Sequence, residues 1–423
     1  MFDIIGKIRG DKTIWAIVFL LALVSFLPVY SASTNLVYVI GNGTTIGHLI
    51  KHAIHVLLGF VIIYWIHKMP YHYFKALSIF GIPLVALLLV YTLFKGTEIG
   101  GANASRWIQI PFVGVSFQTS TLAFIVIMVY VARYLAKVSD KVYSFKESFL
   151  ELWVPVGAVL VLILPANFST TALIFAMICM LIFIGQYPLK YLGYVLAMGV
   201  SAMLLFILLA KAFPDNKFFS RVNTWENRIE RFTKDTPNED DYQIEKAKIA
   251  IASGGVIGLG AGKSVQKNFL PQSSSDFIFA IIVEEWGLVG AVTIIGLYLL
   301  LLIRFVINAQ KASSLFGKLL IIGLGFPIIF QAFVNMGVAV ELLPVTGQPL
   351  PLISSGGTSI WMTCIAVGII LSVTKKEEEV ALDLEEKRKR DEALQQIIDA
   401  QVALNEEKEA DENQQKINDI KSS

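Results

Sequence analysis

Charge is scarce in this 423-residue chain: Asp, Glu, Lys and Arg make up 16% of it, where a soluble domain averages about a quarter. Most of that charge lies in two stretches, 211–267 and 374–423, so the remainder is poorer still. Cysteine is nearly absent. The two that occur, Cys179 and Cys364, sit inside apolar runs, which excludes a disulfide framework and reads them as small hydrophobes. No internal repeat and no collagen-like, Gln-rich or Pro-rich tract is present. A net charge of +2 identifies no partner and gives no ground for a nucleic-acid ligand.

What fills the chain instead is apolar: 55% hydrophobic residues and a mean hydropathy of +0.65. A transmembrane helix needs about 20 mostly apolar residues. Stretches of that kind fall at 14–31, 48–67, 74–94, 118–136, 149–165, 169–185, 190–213, 277–306, 316–340 and 354–373. The fold class expected is therefore all-α, a polytopic integral membrane protein of about ten spans. Lys7, Arg9 and Lys12 precede an apolar run ending near Ser31-Ala-Ser33, in the manner of a secretory signal. With so many spans following, a retained first helix is expected. Lys and Arg of the short loops fall on one side, at 7–12, 68–75, 133–146, 190, 304–318 and 375–376. The opposite short loops, 32–47, 165–169 and 341–353, have none. That asymmetry puts both termini in the cytoplasm and a large loop, 214–275, outside it. The membrane domain is then 1–373, and 374–423 is a charged cytoplasmic tail, either a solvated helix or one that docks a partner.

Asp276 stands where the polar loop meets the apolar run 277–306. At about 1.5 Å per residue that run would reach about 45 Å, too long for a core of about 30 Å. Either the segment tilts or it bends near Gly287 and Gly290; a short interfacial helix starting at Asp276 and continuing into the span is the favoured reading. Ser273-x-x-Asp276 also matches a capping box, so helix capping and catalysis are both open from the residues alone. Glu284 and Glu285 follow inside the run, and intramembrane carboxyls are functional candidates or structural partners of a neighbouring span. Gly258-Leu-Gly-Ala-Gly-Lys-Ser264 suggests a Walker A loop but fails, because Ile257 occupies the first glycine position. His48, His52 and His55 share one helix face with Lys51; a polar stripe outweighs a metal site there. Arg106-Trp107 reads as either substrate contact or an interfacial anchor. Ser354-Ser-Gly-Gly-Thr358 reads as capping and close packing at least as well as binding.

Several ordered motifs carry a resemblance. They are Gly10-Asp-Lys-Thr-Ile-Trp15, Gly101-Ala-Asn-Ala-Ser-Arg-Trp-Ile108 with Ser116-Phe-Gln118, and Ile249-Ala-Ile-Ala-Ser-Gly-Gly255. Phe269-Leu-Pro…Asp276-Phe-Ile-Phe279, Asn335-Met-Gly337 and Leu343-Pro-Val-Thr-Gly347…Leu350-Pro-Leu-Ile-Ser-Ser-Gly-Gly-Thr358 complete the set. From Gly10 to about Val373 the chain resembles the SEDS family of cell-wall proteins (shape, elongation, division, sporulation), and its division branch more than its elongation branch. The resemblance implies a peptidoglycan glycosyltransferase that polymerises lipid II in the bacterial cytoplasmic membrane, at the septum, with its active site on the outer face. It implies a class B penicillin-binding protein and other division proteins as partners, and it maps the family's essential aspartate onto Asp276. Arg106 and Lys263 become expected contacts for the lipid pyrophosphate, with Lys51, Ser275 and Ser355 as further substrate-binding residues. A magnesium or manganese ion is compatible with the family and visible in no ligand spacing. A lipid II flippase or other transporter, an elongation-type polymerase of the same family, and a division scaffold without activity are the competing readings. This sequence departs from the family at Thr121 and Phe124, where Glu and Lys are usual, at Asn167, where an acid is usual, and within Ser273–Ser275.

Overall fold

The computed structural model describes residues 9–38, 41, 43–96, 107–110, 115–139, 141, 143–212, 239–270 and 273–380, with 382, 385, 388–390, 392 and 395. Helices occupy each of the expected spans. They are α1 (Lys12–Tyr38), α2 (Thr45–Lys68), α3 (Tyr73–Lys95), α4 (Thr119–Val138), the short α5 (Phe145–Ser148), α6 (Val154–Ile163), α7 (Phe168–Ile184) and α8 (Leu189–Ala212). After them come α9 (Glu239–Gly254), α10 (Ile278–Lys311) and α11 (Leu315–Ala339), then α12 (Gly357–Val380). Eight of these are long and apolar enough to cross a membrane. The other two expected spans are α7 and the run formed by α5, a π-helical turn at Phe149–Trp153 and α6.

Local chemistry sets many of the boundaries. The hydroxyls of Thr44 and Ser314 accept the N–H of Gly47 and Gly317, each at 3.0 Å, capping α2 and α11. Ser144 and Glu147 form a reciprocal capping box at α5. Asn167, at one of the departures from the family pattern, caps α7 by accepting Thr170 N–H at 3.2 Å. Such caps satisfy donors that lipid cannot. The all-α expectation needs one amendment: β1 (Trp107–Ile110) and β2 (Val115–Gln118) pair antiparallel, with Trp107 opposite Gln118. The connection between them lies outside the described residues.

α11 is the most enclosed of the long helices and packs against α4, α7 and α10, while α1 packs against α2 and α10. At the basic end of the bundle, Asp11 fastens three elements. Its carboxyl accepts the N–H of Thr13 and Ile14 at 2.8 and 3.1 Å, capping α1. It also accepts from the Arg304 guanidinium and the Asn308 amide of α10. Its own N–H donates to Thr374 Oγ1 at 3.1 Å. Burial pushes the Asp11 carboxyl up, but the hydrogen bonds from Asn308, Arg304 and Ile14 and the charge of Arg304 outweigh it and hold the pKa below 3.8.

The chain divides into two units, Met1–Thr374 and Lys375–Ser423. The described part of the second is helical, with i,i+4 ion pairs Lys375–Glu379, Glu385–Lys389 and Arg388–Glu392.

Candidate active site at the loop–helix junction

α10 begins at Ile278, two residues later than the sequence suggests, and its cap is Phe277, with no side-chain capping bond. Asp276 sits in the preceding turn, half-buried between buried Ser274 and Phe277. The capping role that Ser273-x-x-Asp276 allows is therefore not taken up. The turn is instead held from two other elements. Asn335, on α11 and 1% exposed, donates through Nδ2 to Asp276 O and to Gln348 O, both at 2.8 Å. Ser354 donates its hydroxyl to Ser275 O at 2.6 Å, and Ser355 N–H donates to Ser274 O at 2.9 Å. The carbonyls of Ser274, Ser275 and Asp276 thus each find a donor, as groups withdrawn from water must.

The partner loop is itself braced. Gln331 donates to Pro349 O at 2.9 Å, Gln348 donates to Thr170 Oγ1 at 3.0 Å, and Tyr298 donates to Pro351 O. Buried Leu352 is kept at φ 66, a left-handed conformation that costs about 1–2 kcal/mol for a non-glycine residue. Gly347, also left-handed at φ +66, comes so close that an added Cβ would stand 3.5 Å from Asp276 Oδ2. Gly347, Gln348 and Pro349 form one end of a cleft between α4, α7, α11 and α12, further lined by Gln118, Thr121, Phe124, Thr170 and Gln331. Through Gly347, Asp276 accordingly adjoins a cleft between four helices whose described lining is apolar or neutral.

α10 breaks at Gly287, where φ is 62 and ψ −157. A break frees backbone groups that must find new partners. The glycine-rich segment after α9 supplies them: Leu259 and Gly260 N–H donate to Glu284 O and Glu285 O, each at 2.9 Å, and Leu288 N–H donates to Gly255 O at 2.9 Å. Glycine is required for this approach, since a Cβ on Gly254 or Gly258 would lie 2.0 or 2.2 Å from a carbonyl oxygen of α10. Glu284, 1% exposed, takes Ser264 Oγ and the N–H of Val265 and Gln266. Glu285 takes the Ser31 hydroxyl of α1, and Lys267 Nζ reaches Ser31 Oγ at 3.1 Å and Gly262 O at 2.7 Å. Glu284 thus fastens α10 to the loop, and Glu285 fastens α10 to α1 and, through Ser264 N–H at 3.4 Å, to the loop.

Residues 11–379 match the family described as cell cycle protein, whose members are FtsW, RodA and SpoVE. The chain belongs to this family. It is 34% identical to the probable peptidoglycan glycosyltransferase FtsW of Geobacter sulfurreducens over 77% of its own length and 85% of the relative's. It is 29% identical to the protein of that name from Coxiella burnetii, over 86% and 96%. Among solved structures it is similar to a chain described under "Structural coordination of polymerization and crosslinking by a peptidoglycan synthase complex". That match has TM-score 0.65 and 23% identity and covers 87% of this chain and 98% of the other. It is also similar to the rod shape determining protein RodA of Thermus thermophilus, with TM-score 0.61 and 22% identity, over 87% and 97%. These two establish a shared fold.

Among the residues that the family resemblance singles out, Asp276, Ser275 and Ser355 are brought together by the hydrogen bonds that clasp the turn. Lys51 is exposed on α2, one turn before His55, whose ring lies where a Cβ on Gly357 would meet Nε2 at 2.6 Å. Trp361 donates to His55 O at 3.1 Å and stacks on its ring. Lys51 therefore stands on the helix that packs against the start of α12, next to Ser354–Gly357. Lys263 is exposed on the glycine segment. Arg106 lies outside the described residues. His52 is satisfied by Ser25 Oγ at 2.7 Å and His55 by Lys51 O, and no group of three metal-ligating side chains occurs among the described residues. Thr121 and Phe124 both face the cleft, so the two positions where the family usually has a Glu and a Lys are neutral and apolar here. Sequence reasoning did not single out Gly347, Gln348, Gln331 or Asn335 as site residues; the Asn335-Met-Gly337 motif was the available signal.

Proposed function

We propose that this membrane protein is a division-type peptidoglycan glycosyltransferase, polymerising lipid II into glycan strands with Asp276 as its general base. The acceptor sugar's 4-hydroxyl attacks the anomeric carbon of the donor. A C–O bond forms with inversion as the bond to the lipid pyrophosphate breaks, and the hydroxyl proton passes to the Asp276 carboxylate. The pyrophosphate leaves as an anion, so no partner acid is needed, in contrast to glycoside hydrolysis. Cations suit its charge, and Arg106, Lys263 and Lys51 take that role. Ser275 and Ser355 line the approach to the base.

The observation that carries this reading is the placement of Asp276. Its carboxyl adjoins the interhelical cleft at Gly347, and its turn is held by the backbone from Asn335, Ser354 and Ser355, so that the clasp sets the side chain's position. By the distribution of Lys and Arg, that end of the bundle faces away from the cytoplasm. Lipid II is the substrate, a class B penicillin-binding protein the cross-linking partner, and the septum the site of action.

Purified full chain with its penicillin-binding partner and labelled lipid II tests this. Glycan strands are expected from the native protein, and Asp276→Ala should lower the rate by about 10²–10⁴. Strand formation undiminished by that substitution removes Asp276 from the role of base. Lipid II crossing liposomes without polymerisation supports the flippase, and neither activity supports the scaffold.

A further inference from the structure

A cavity of about 620 Å³ opens at the end of the bundle away from Asp276, within the range of about 300–1,000 Å³ usual for small-molecule sites. It lies where the C-terminal ends of α4, α7 and α10 meet the start of α11. Its lining is divided. Lys141, Lys318 and Gln186 stand at the loop-side rim, and Ile184, Ile322 and Phe326 form the walls. Phe326 is eight residues beyond Lys318 on α11, so the apolar wall runs about 12 Å inward from the cation. No Asp or Glu lines the cavity among the described residues. Glu151 is engaged by Lys137, and the charged groups of the described lining are the two lysines.

We infer that this cavity binds an anionic phospholipid, its phosphate held by Lys141 and Lys318 and one acyl chain running inward along Ile184, Ile322 and Phe326. Charge and depth both select that occupant. A soluble anion would use the lysines and leave the apolar walls wet, whereas a neutral lipid would leave two cations at headgroup depth without an anion. Basic pockets between spans at this depth are the pattern by which anionic headgroups are recognised. The position also matters for the site described above. α10 and α11 form one wall of the cavity, and their far ends carry Ile278, next to Asp276, and Asn335. Assigning the lipid to the cytoplasmic leaflet rests on the orientation proposed above; the binding does not.

The test is thermal unfolding of the full chain in neutral detergent with added phosphatidylglycerol, phosphatidylcholine or glycerol 3-phosphate. Phosphatidylglycerol should raise the Tm by several degrees, as any ligand of the folded state does, and the other two should leave it near the starting value. Lys141→Gln/Lys318→Gln should lose most of that rise. Ile322→Trp, which fills the apolar end and keeps both lysines, should lose it as well. Lys68→Gln/Lys190→Gln, basic residues of the same membrane face outside the lining, should keep it. An equal rise with phosphatidylcholine or glycerol 3-phosphate overturns the proposal. So does a rise that survives in both cavity variants, or one lost equally in the Lys68/Lys190 control.

Discussion

Gly287→Ala tests whether the broken helix is held by the glycine loop. A Cβ on Gly287 would lie 2.4 Å from Val256 O, 2.5 Å from Val256 C and 2.6 Å from Gly258 N. All three are backbone atoms, so no rotamer change relieves the clash and the loop must part from the helix. Parting surrenders the bonds of Leu259 and Gly260 to Glu284 O and Glu285 O, and of Leu288 to Gly255 O. Leaving even two such buried groups unpaired costs about 1–3 kcal/mol each, and alanine at this φ and ψ adds about 1–3 kcal/mol. The total is about 5 kcal/mol. Gly296→Ala is the internal control: it lies in the same helix with nothing within 4 Å of its Cβ. It should stabilise by about 0.5–1 kcal/mol through helix propensity. One substitution at two positions of one helix thus has opposite signs. At roughly 2 °C per kcal/mol, a melt in detergent should separate the two variants by about 10 °C. Glycan polymerisation should fall with Gly287→Ala, because the segment from Ile278 to the break carries the Asp276 turn. Variants melting within a degree of each other would show that the loop and the kink do not depend on one another.

Asp11→Ala removes the α1 cap and leaves Arg304 and Asn308 without their shared acceptor, and should cost about 3–5 kcal/mol in an unfolding titration. Because the folded pKa of Asp11 lies below 3.8, its contribution is complete above roughly pH 4 and disappears as pH falls through the folded value. Native and Asp11→Ala proteins should converge in stability in strong acid, and a constant gap across the acid range contradicts the account. Glu284→Gln replaces one acceptor with a donor facing Ser264, Val265 and Gln266, and should cost about 1–3 kcal/mol; an unchanged melt would deny it the fastening role. Asn335→Ala frees Asp276 O and Gln348 O and should lower kcat about 10–100-fold with KM little changed, since a displaced base impairs chemistry more than binding. A rise in KM alone would place Asn335 at the substrate and not behind the base.

The ten apolar segments, the bend at Gly287 and the family were readable in the chain because hydropathy, glycine placement and ordered motifs are local properties. The position of Asp276 at a loop–helix boundary was readable for the same reason. Its role as a cap was an equally local reading, and the structure removed it by starting α10 after Phe277. The glycine segment shows the same limit from another side. Gly258-Leu-Gly-Ala-Gly announces close approach, but nothing nearby says that the backbone approached is Glu284–Trp286.

By itself the sequence determined which segments enter the membrane and where its acidic residue interrupts them, since lipid sorts residues by apolarity one segment at a time. Only the tertiary structure decided what holds that residue. Asn335 and Ser354 lie 59 and 79 residues from the carbonyls they bind, and their pairing follows from how α10, α11 and α12 pack. Hydrogen-bond partners in a lipid-surrounded bundle are chosen by proximity across helices, which the hydropathy of a single helix does not encode.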